Sequence, residues 1–224
     1  MKSALTLSAL AVSFGVLCHA DAVYNVSLNT ASLAGNSSAP FAVDFQLTSG
    51  KTPSAVVNNA TLSNFSFGTG GSAGTGSAGT GSPFPNSGNA SGSLSSTVLL
   101  STSGGSFFNE FSQFFIPGPI LTFQLDLTNN PQSGGAPDEF SFQLIDKTGH
   151  GLTTTDPTGS NSLFVIDLTG SPLTPLIFTA NAEGFTSTPA IVQNTPEPST
   201  ASFLLLAGAL LVFSGSKLFR HTPG

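Results

Sequence analysis

The chain has 224 residues, only 7% of them charged, with five Lys and Arg against eleven Asp and Glu and an isoelectric point near 4.6. So few bases leave no positive patch to displace counterions from phosphates, which argues against nucleic acid as a partner. One cysteine cannot build a disulfide framework, and the length suits one ordinary domain plus processing segments.

Residues 1–20 read MKSALTLSALAVSFGVLCHA: Lys2 is a positive n-region, an apolar stretch follows from Ala4 to Leu17, and small residues close at Ala20. This pattern predicts a helical secretory signal peptide, delivered to the Sec export machinery and cut between Ala20 and Asp21. Acylation at Cys18 would call for a small residue before it, and Leu17 stands there. Cleavage after Ala20 removes the single cysteine, so the exported part has neither disulfides nor thiolate chemistry.

Residues 21–193 form the expected passenger. Through residue 195 there are ten acids and two bases, Lys51 and Lys147, a net charge of −8 without any Arg. Hydration therefore rests on Ser, Thr, Asn and Gln. Large apolar residues alternate with polar ones over 41–48 and 120–128, which predicts half-buried strands. Similar strands are expected over 23–28, 60–67, 94–100, 139–145, 163–168 and 176–179. About eight or nine short strands separated by Gly, Pro and Asn turns predict an all-β fold, an antiparallel β-sandwich with a jelly-roll-like winding. The triplet Phe-Gln-Leu recurs at 45–47, 123–125 and 142–144, at irregular spacing, as a repeated strand solution rather than a solenoid. Sixteen of the twenty Phe residues fall in the passenger, enough to fill a core.

Two segments are less plain. Phe107, Phe108, Phe111, Phe114 and Phe115 fit a helical stripe as well as a strand. Residues 68–82, with Gly-Ser-Ala-Gly-Thr twice in tandem, carry nothing to bury and predict a flexible surface loop. Residues 70–74 match a hydrolase nucleophile elbow and 74–79 a dinucleotide fingerprint, but neither has the strand before and helix after that the chemistry needs. Five Asn-x-Ser/Thr triplets, at Asn25, Asn36, Asn59, Asn64 and Asn89, are what this composition produces by chance.

Catalytic groups are scarce. His150 stands alone in the turn Asp146-Lys-Thr-Gly-His-Gly151, and one His cannot supply a metal's usual ligand set. Carboxylates are the better candidates: Asp138, Glu139, Asp146 and Asp156 lie at turns, where they offer oxygen ligands for calcium, an acid pair for a secreted carbohydrate-active hydrolase, or Asx-turn bonds needing no ion. No Asp-x-Asp-x-Asp ladder occurs, and neither a metal nor a cofactor is expected. With no Trp, and Tyr24 as the single Tyr, the usual sugar-stacking platforms are missing.

The closing stretch runs NTPEPSTASFLLLAGALLVFSGSKLFRH from residue 194. Its uncharged part, 198–216, would be about 28 Å long as a helix at ~1.5 Å per residue, near the bilayer hydrocarbon thickness. Eight Leu, Phe and Val residues between Phe203 and Phe213 favour insertion by roughly 2 to 5 kcal/mol. A transmembrane helix is expected from Ala201 to Ser216, followed by a basic tail, 217–224, with Lys217 and Arg220 on the cytoplasmic side. Pro196-Glu197-Pro198, then an apolar helix, then basic residues resembles the PEP-CTERM sorting signal of secreted bacterial proteins over the last thirty residues or so. That resemblance implies a membrane-embedded exosortase transpeptidase that recognises Pro196, Glu197 and Pro198 and removes the tail. The family's setting adds exopolysaccharide as a candidate partner. The implied route runs through a transient inner-membrane anchor, passenger outside, to the cell surface or the medium, where the product serves as a non-enzymatic matrix or surface protein. Some ice-binding proteins carry a similar tail, but their ice faces are Thr ladders, whereas residues 153–155 are an isolated Thr cluster.

Overall fold

A computed structural model describes residues 21–51, 56–77, 86–169, 173–182 and 184–194. The signal peptide, the 196–198 motif, the 201–216 helix and the basic tail expected from the sequence lie outside these residues. Among the described residues no helix is long and apolar enough to cross a membrane.

Alternating segments become strands. In chain order these are β1 (Ala22–Asn29), β2 (Phe41–Thr48), β3 (Asn59–Ser66), β4 (Ser72–Ser77), β5 (Asn89–Gly92), β6 (Val98–Ser101), β7 (Phe108–Ile116), β8 (Ile120–Leu127), β9 (Asp138–Ile145), β10 (Phe164–Leu168), β11 (Leu176–Ile177), β12 (Ala180–Ala182), β13 (Phe185–Ser187) and β14 (Ala190–Asn194). The helical residues described are two single 3-10 turns, Ala31–Leu33 and Ser103–Gly105. Sheet A has the order β14-β1-β8-β3-β6-β5 and sheet B the order β11-β10-β9-β2-β7-β4, with β12 and β13 as a separate hairpin. The pairings are antiparallel and nested: β1 with β8, β2 with β7, β3 with β6.

The two sheets close one core as a β-sandwich. Inward residues include Tyr24, Val26 and Leu28 of β1 and Phe41, Val43, Phe45 and Leu47 of β2, all buried. The recurring Phe-Gln-Leu triplet explains its own recurrence here. Phe45, Phe123 and Phe142 meet at the centre, with ring centroids 5.1 to 5.4 Å apart. Edge-to-face and offset contacts of this kind contribute about 0.5–1.5 kcal/mol each beyond area burial. The following glutamines, one residue out of phase, fall on the outer faces: Gln46 and Gln143 on sheet B, Gln124 on sheet A.

Two expected elements change, 68–82 and 94–100, and the open 107–115 segment is resolved. The 107–115 segment is strand, not helix: Phe111 and Phe115 point inward with Asn109 and Gln113 between and beside them. Those polar side chains are buried because they satisfy backbone groups, Asn109 donating to the Leu47 carbonyl at 3.0 Å and Gln113 to the Gly74 carbonyl at 3.0 Å. Part of the Gly-rich 68–82 stretch is strand β4, paired with β7; residues 78–82 lie outside the described residues. Strand pairing uses backbone groups, and a side chain at Gly74 would meet the Phe114 carbonyl oxygen at 2.5 Å, so glycine permits the approach. Residues 94–100 are not one strand but the turn and second arm of a hairpin, since Ser96 N–H donates to the Ser93 carbonyl and β6 pairs back onto β5. Tyr24 is fully buried, its hydroxyl donating to the Leu173 carbonyl at 3.2 Å.

Candidate functional site

The strand alternation that sends Phe residues inward sends carboxylates to the outer face of sheet B. Cross-strand register sorts them into rows. Ser112, Asp44 and Gln143 stand abreast; Glu110, Gln46, Ser141 and Val165 form the next row; Phe108, Thr48, Glu139 and Asp167 the third.

The third row ends in an acidic cleft of about 180 Å3. Glu139 and Asp167 lie on its floor, and the connection between β9 and β10 brings Asp156, Thr158, Ser160 and Ser162 against it, with Leu176 and Phe178 on the far side. Partial burial, and then the like charges of Asp167 and Asp156, raise the Glu139 carboxyl above its ordinary value. Asp156 is different: some burial opposes its charge, but the Thr158 N–H at 2.9 Å, the Thr158 hydroxyl at 2.8 Å and the Ser162 N–H at 3.2 Å hold it below the usual carboxylate range.

The sequence candidates thus separate. Glu139 and Asp156 come together, joined by Asp167, which sequence reading passed over. Asp138, next to Glu139, points the other way because neighbours in a strand face opposite sides. It is fully buried, and its oxygens accept from the Gly50 N–H at 3.0 Å, the Ser49 hydroxyl at 3.3 Å, the Gln132 amide at 2.6 Å and the Asn58 amide at 3.0 Å. Asp138 is therefore a brace between the β2–β3 and β8–β9 connections rather than an open ligand. Asp146 lies in the turn after β9, where it accepts from the Thr148 N–H and hydroxyl and the His150 N–H. Slight burial acts upward on its pKa, but these bonds and the nearby His150 hold it low. His150 Nδ1 faces the Thr148 hydroxyl at 2.7 Å. Among the described residues no group of three His, Cys, Asp or Glu is placed to hold a metal ion. Asp21, the residue after the expected signal cleavage, is exposed.

The second acidic feature was not anticipated. Asp44 is 1% exposed, with Glu110 beside it and the Gln46 amide donating to Asp44 at 2.7 Å and to Glu110 at 3.5 Å. Burial first, and then the Glu110 charge, push the Asp44 carboxyl up to about 8, so it carries a proton at neutral pH. Burial likewise raises Glu110, against the pull of Asp44 and Gln46. Asp44 Oδ1 and the neighbouring Ser112 Oγ are buried without a hydrogen-bond partner. A carboxyl so enclosed offers a substrate no approach; its effect is on the fold. Neither a family model, nor a curated protein, nor a solved structure matches the chain.

Proposed function

We propose that this chain is an exported precursor. Its passenger is held at the inner membrane by residues 201–216 until an exosortase-type transpeptidase cuts near Pro196-Glu197-Pro198, and the freed sandwich then serves outside the cell as a non-enzymatic matrix or surface protein. The observation that carries this reading is that the described strands all lie between the two expected cuts. β1 begins at Ala22, just past the Ala20–Asp21 bond, and β14 ends at Asn194, two residues ahead of Pro196. Both expected cuts leave every described strand intact. The first and last described strands are also neighbours, Val23 pairing with Asn194.

The nested pairing of β1 with β8, β2 with β7 and β3 with β6 supports a jelly-roll-like winding for the passenger. These pairs join strands from both ends of the described segment, which is consistent with processing confined to the flanks. The test is intact mass measurement on the protein from its native host, beside a variant with Pro196, Glu197 and Pro198 replaced by Ala. The expected result is a mature mass without residues 1–20 and without the tail, and a variant that keeps its tail and stays with the membrane. A mature protein still containing residues 201–224 refutes the reading.

A further inference from the structure

The outer face of sheet A differs from that of sheet B. Its register sets Val192, Asn25, Gln124 and Ser63 in one row and Ala190, Ser27, Thr122 and Ser66 in the next. Between these rows lies a cleft of about 350 Å3, crossing four strands, or about 14 Å at the usual strand spacing. No residue lining it is ionisable.

Beside the Ser27 and Thr122 hydroxyls, its polar groups are amides arranged in bonded pairs. Asn25 donates to Asn194 Oδ1 at 3.0 Å, and Asn64 donates to Gln124 Oε1 at 3.3 Å. Each bond uses one of the donor amide's two N–H groups, and each pair still has an NH2 and a carbonyl oxygen with capacity for further bonds. The pairs thus hold one another in position while presenting donor and acceptor together. Val192, 61% exposed, supplies an apolar wall at the edge strand.

The backbone at the far end is bent to suit. β3 slips register between Ser63 and Ser66, and Asn64 sits at φ 56°, a conformation that L side chains other than Asn and Asp rarely adopt. The bulge turns both Ser63 and Asn64 outward in succession, where simple alternation would bury Asn64. Bulges and left-handed residues held in place by their surroundings are devices that re-aim a side chain at a site.

We propose that this cleft binds a neutral saccharide chain. Without a charged lining, phosphates, carboxylates and amines gain no counter-charge there. Paired amides match vicinal hydroxyls, which both donate and accept, and Val192 offers a surface for the C–H face of a sugar ring. Pre-bonded amides also lose little freedom on binding, which favours affinity.

The test uses the full chain in a non-glycosidic detergent, so the result is independent of whether the tail is processed. Affinity electrophoresis through gels containing dextran, mannan or galactan should show retardation by at least one of them, insensitive to added salt. Alginate, an anionic polymer, should give none. Gln124→Ala should weaken the affinity about tenfold, the loss of one amide contact. Asn64→Gly should weaken it similarly while leaving the melting temperature equal or higher, since Gly accepts the positive φ; this separates a binding role from a structural one. Absence of retardation by all three neutral polymers overturns the proposal, as does retardation equal to wild type in both variants. Retardation by alginate alone, or a concentration-dependent dimer through the β14 edge in place of binding, also overturns it.

Discussion

Replacing Asp44 by Asn should make the protein more stable above neutral pH and flatten its response to acid. In the fold Asp44 keeps its proton up to about 8, whereas in the unfolded chain the group titrates at its ordinary value of 3.8. Between those values the native state binds a proton that the unfolded state does not, so stability is fully present below about pH 4 and is lost as pH rises through the folded value near 8. At ~1.4 kcal/mol per pH unit the whole span is about 6 kcal/mol, and the part between about pH 5 and pH 8 is about 4 kcal/mol. That is large against the ~5–15 kcal/mol that holds a typical domain together. Asn has the same shape, can accept from Gln46 and does not titrate. Urea unfolding at about pH 5 and about pH 8.5 should therefore show the wild type losing several kcal/mol more than Asp44→Asn, with the variant the more stable of the two at the higher pH. Glu139 acts in both proteins, and Glu110 is coupled to Asp44, so the difference between the two slopes reports the Asp44–Glu110 pair. Equal slopes for wild type and variant would mean that Asp44 ionises normally, and the reading of a buried, protonated acid would be wrong.

Asp138→Ala removes the buried acceptor shared by the Gly50, Ser49, Asn58 and Gln132 donors and should cost about 3 kcal/mol or more in urea unfolding. Gly50→Ala should prevent stable folding, seen as loss of the cooperative thermal transition, because its Cβ would meet the Ala136 carbonyl oxygen at 2.0 Å and that of Pro137 at 2.2 Å, both rigid backbone. A chelator should leave the melting temperature unchanged, since Asp138 and Asp156 already spend their oxygens on protein donors; a clear fall would point to a cation in the Glu139–Asp156–Asp167 cleft.

Strand positions were legible where alternation was unbroken. β2 and β8 fall on the segments where apolar residues alternate with Asp, Gln and Thr, because a half-buried sheet imposes that period directly. Legibility failed where an inward position is polar. In β7 the inward Asn109 and Gln113 interrupt the apolar series, and the remaining Phe spacing imitates a helix. It failed again where structure needs no side chain, as in β4, whose glycines contribute backbone alone. One signal was present and went unread: in 60–67 the apolar parity shifts from Ala60 and Leu62 to Phe65 and Phe67, one residue too many for a regular strand, and this is the bulge at Asn64.

Among the acids, the sequence shows which residues are near a turn but not what faces them. Asp44 reads as an ordinary solvent-side residue of its strand; burial first, and then the charge of Glu110, 66 positions away and brought alongside by the register of β2 on β7, keep it protonated. By itself the sequence determined the all-β class and the strands of regular alternation, because hydrophobic periodicity is a local property of the chain. Only the tertiary structure decided that Asp138 is a buried brace, that Asp44 is enclosed, that Asn25, Asn64 and Gln124 share one uncharged cleft and that the two ends of the passenger lie together. Those are consequences of strand pairing between distant segments, and no local pattern encodes which strand lies beside which.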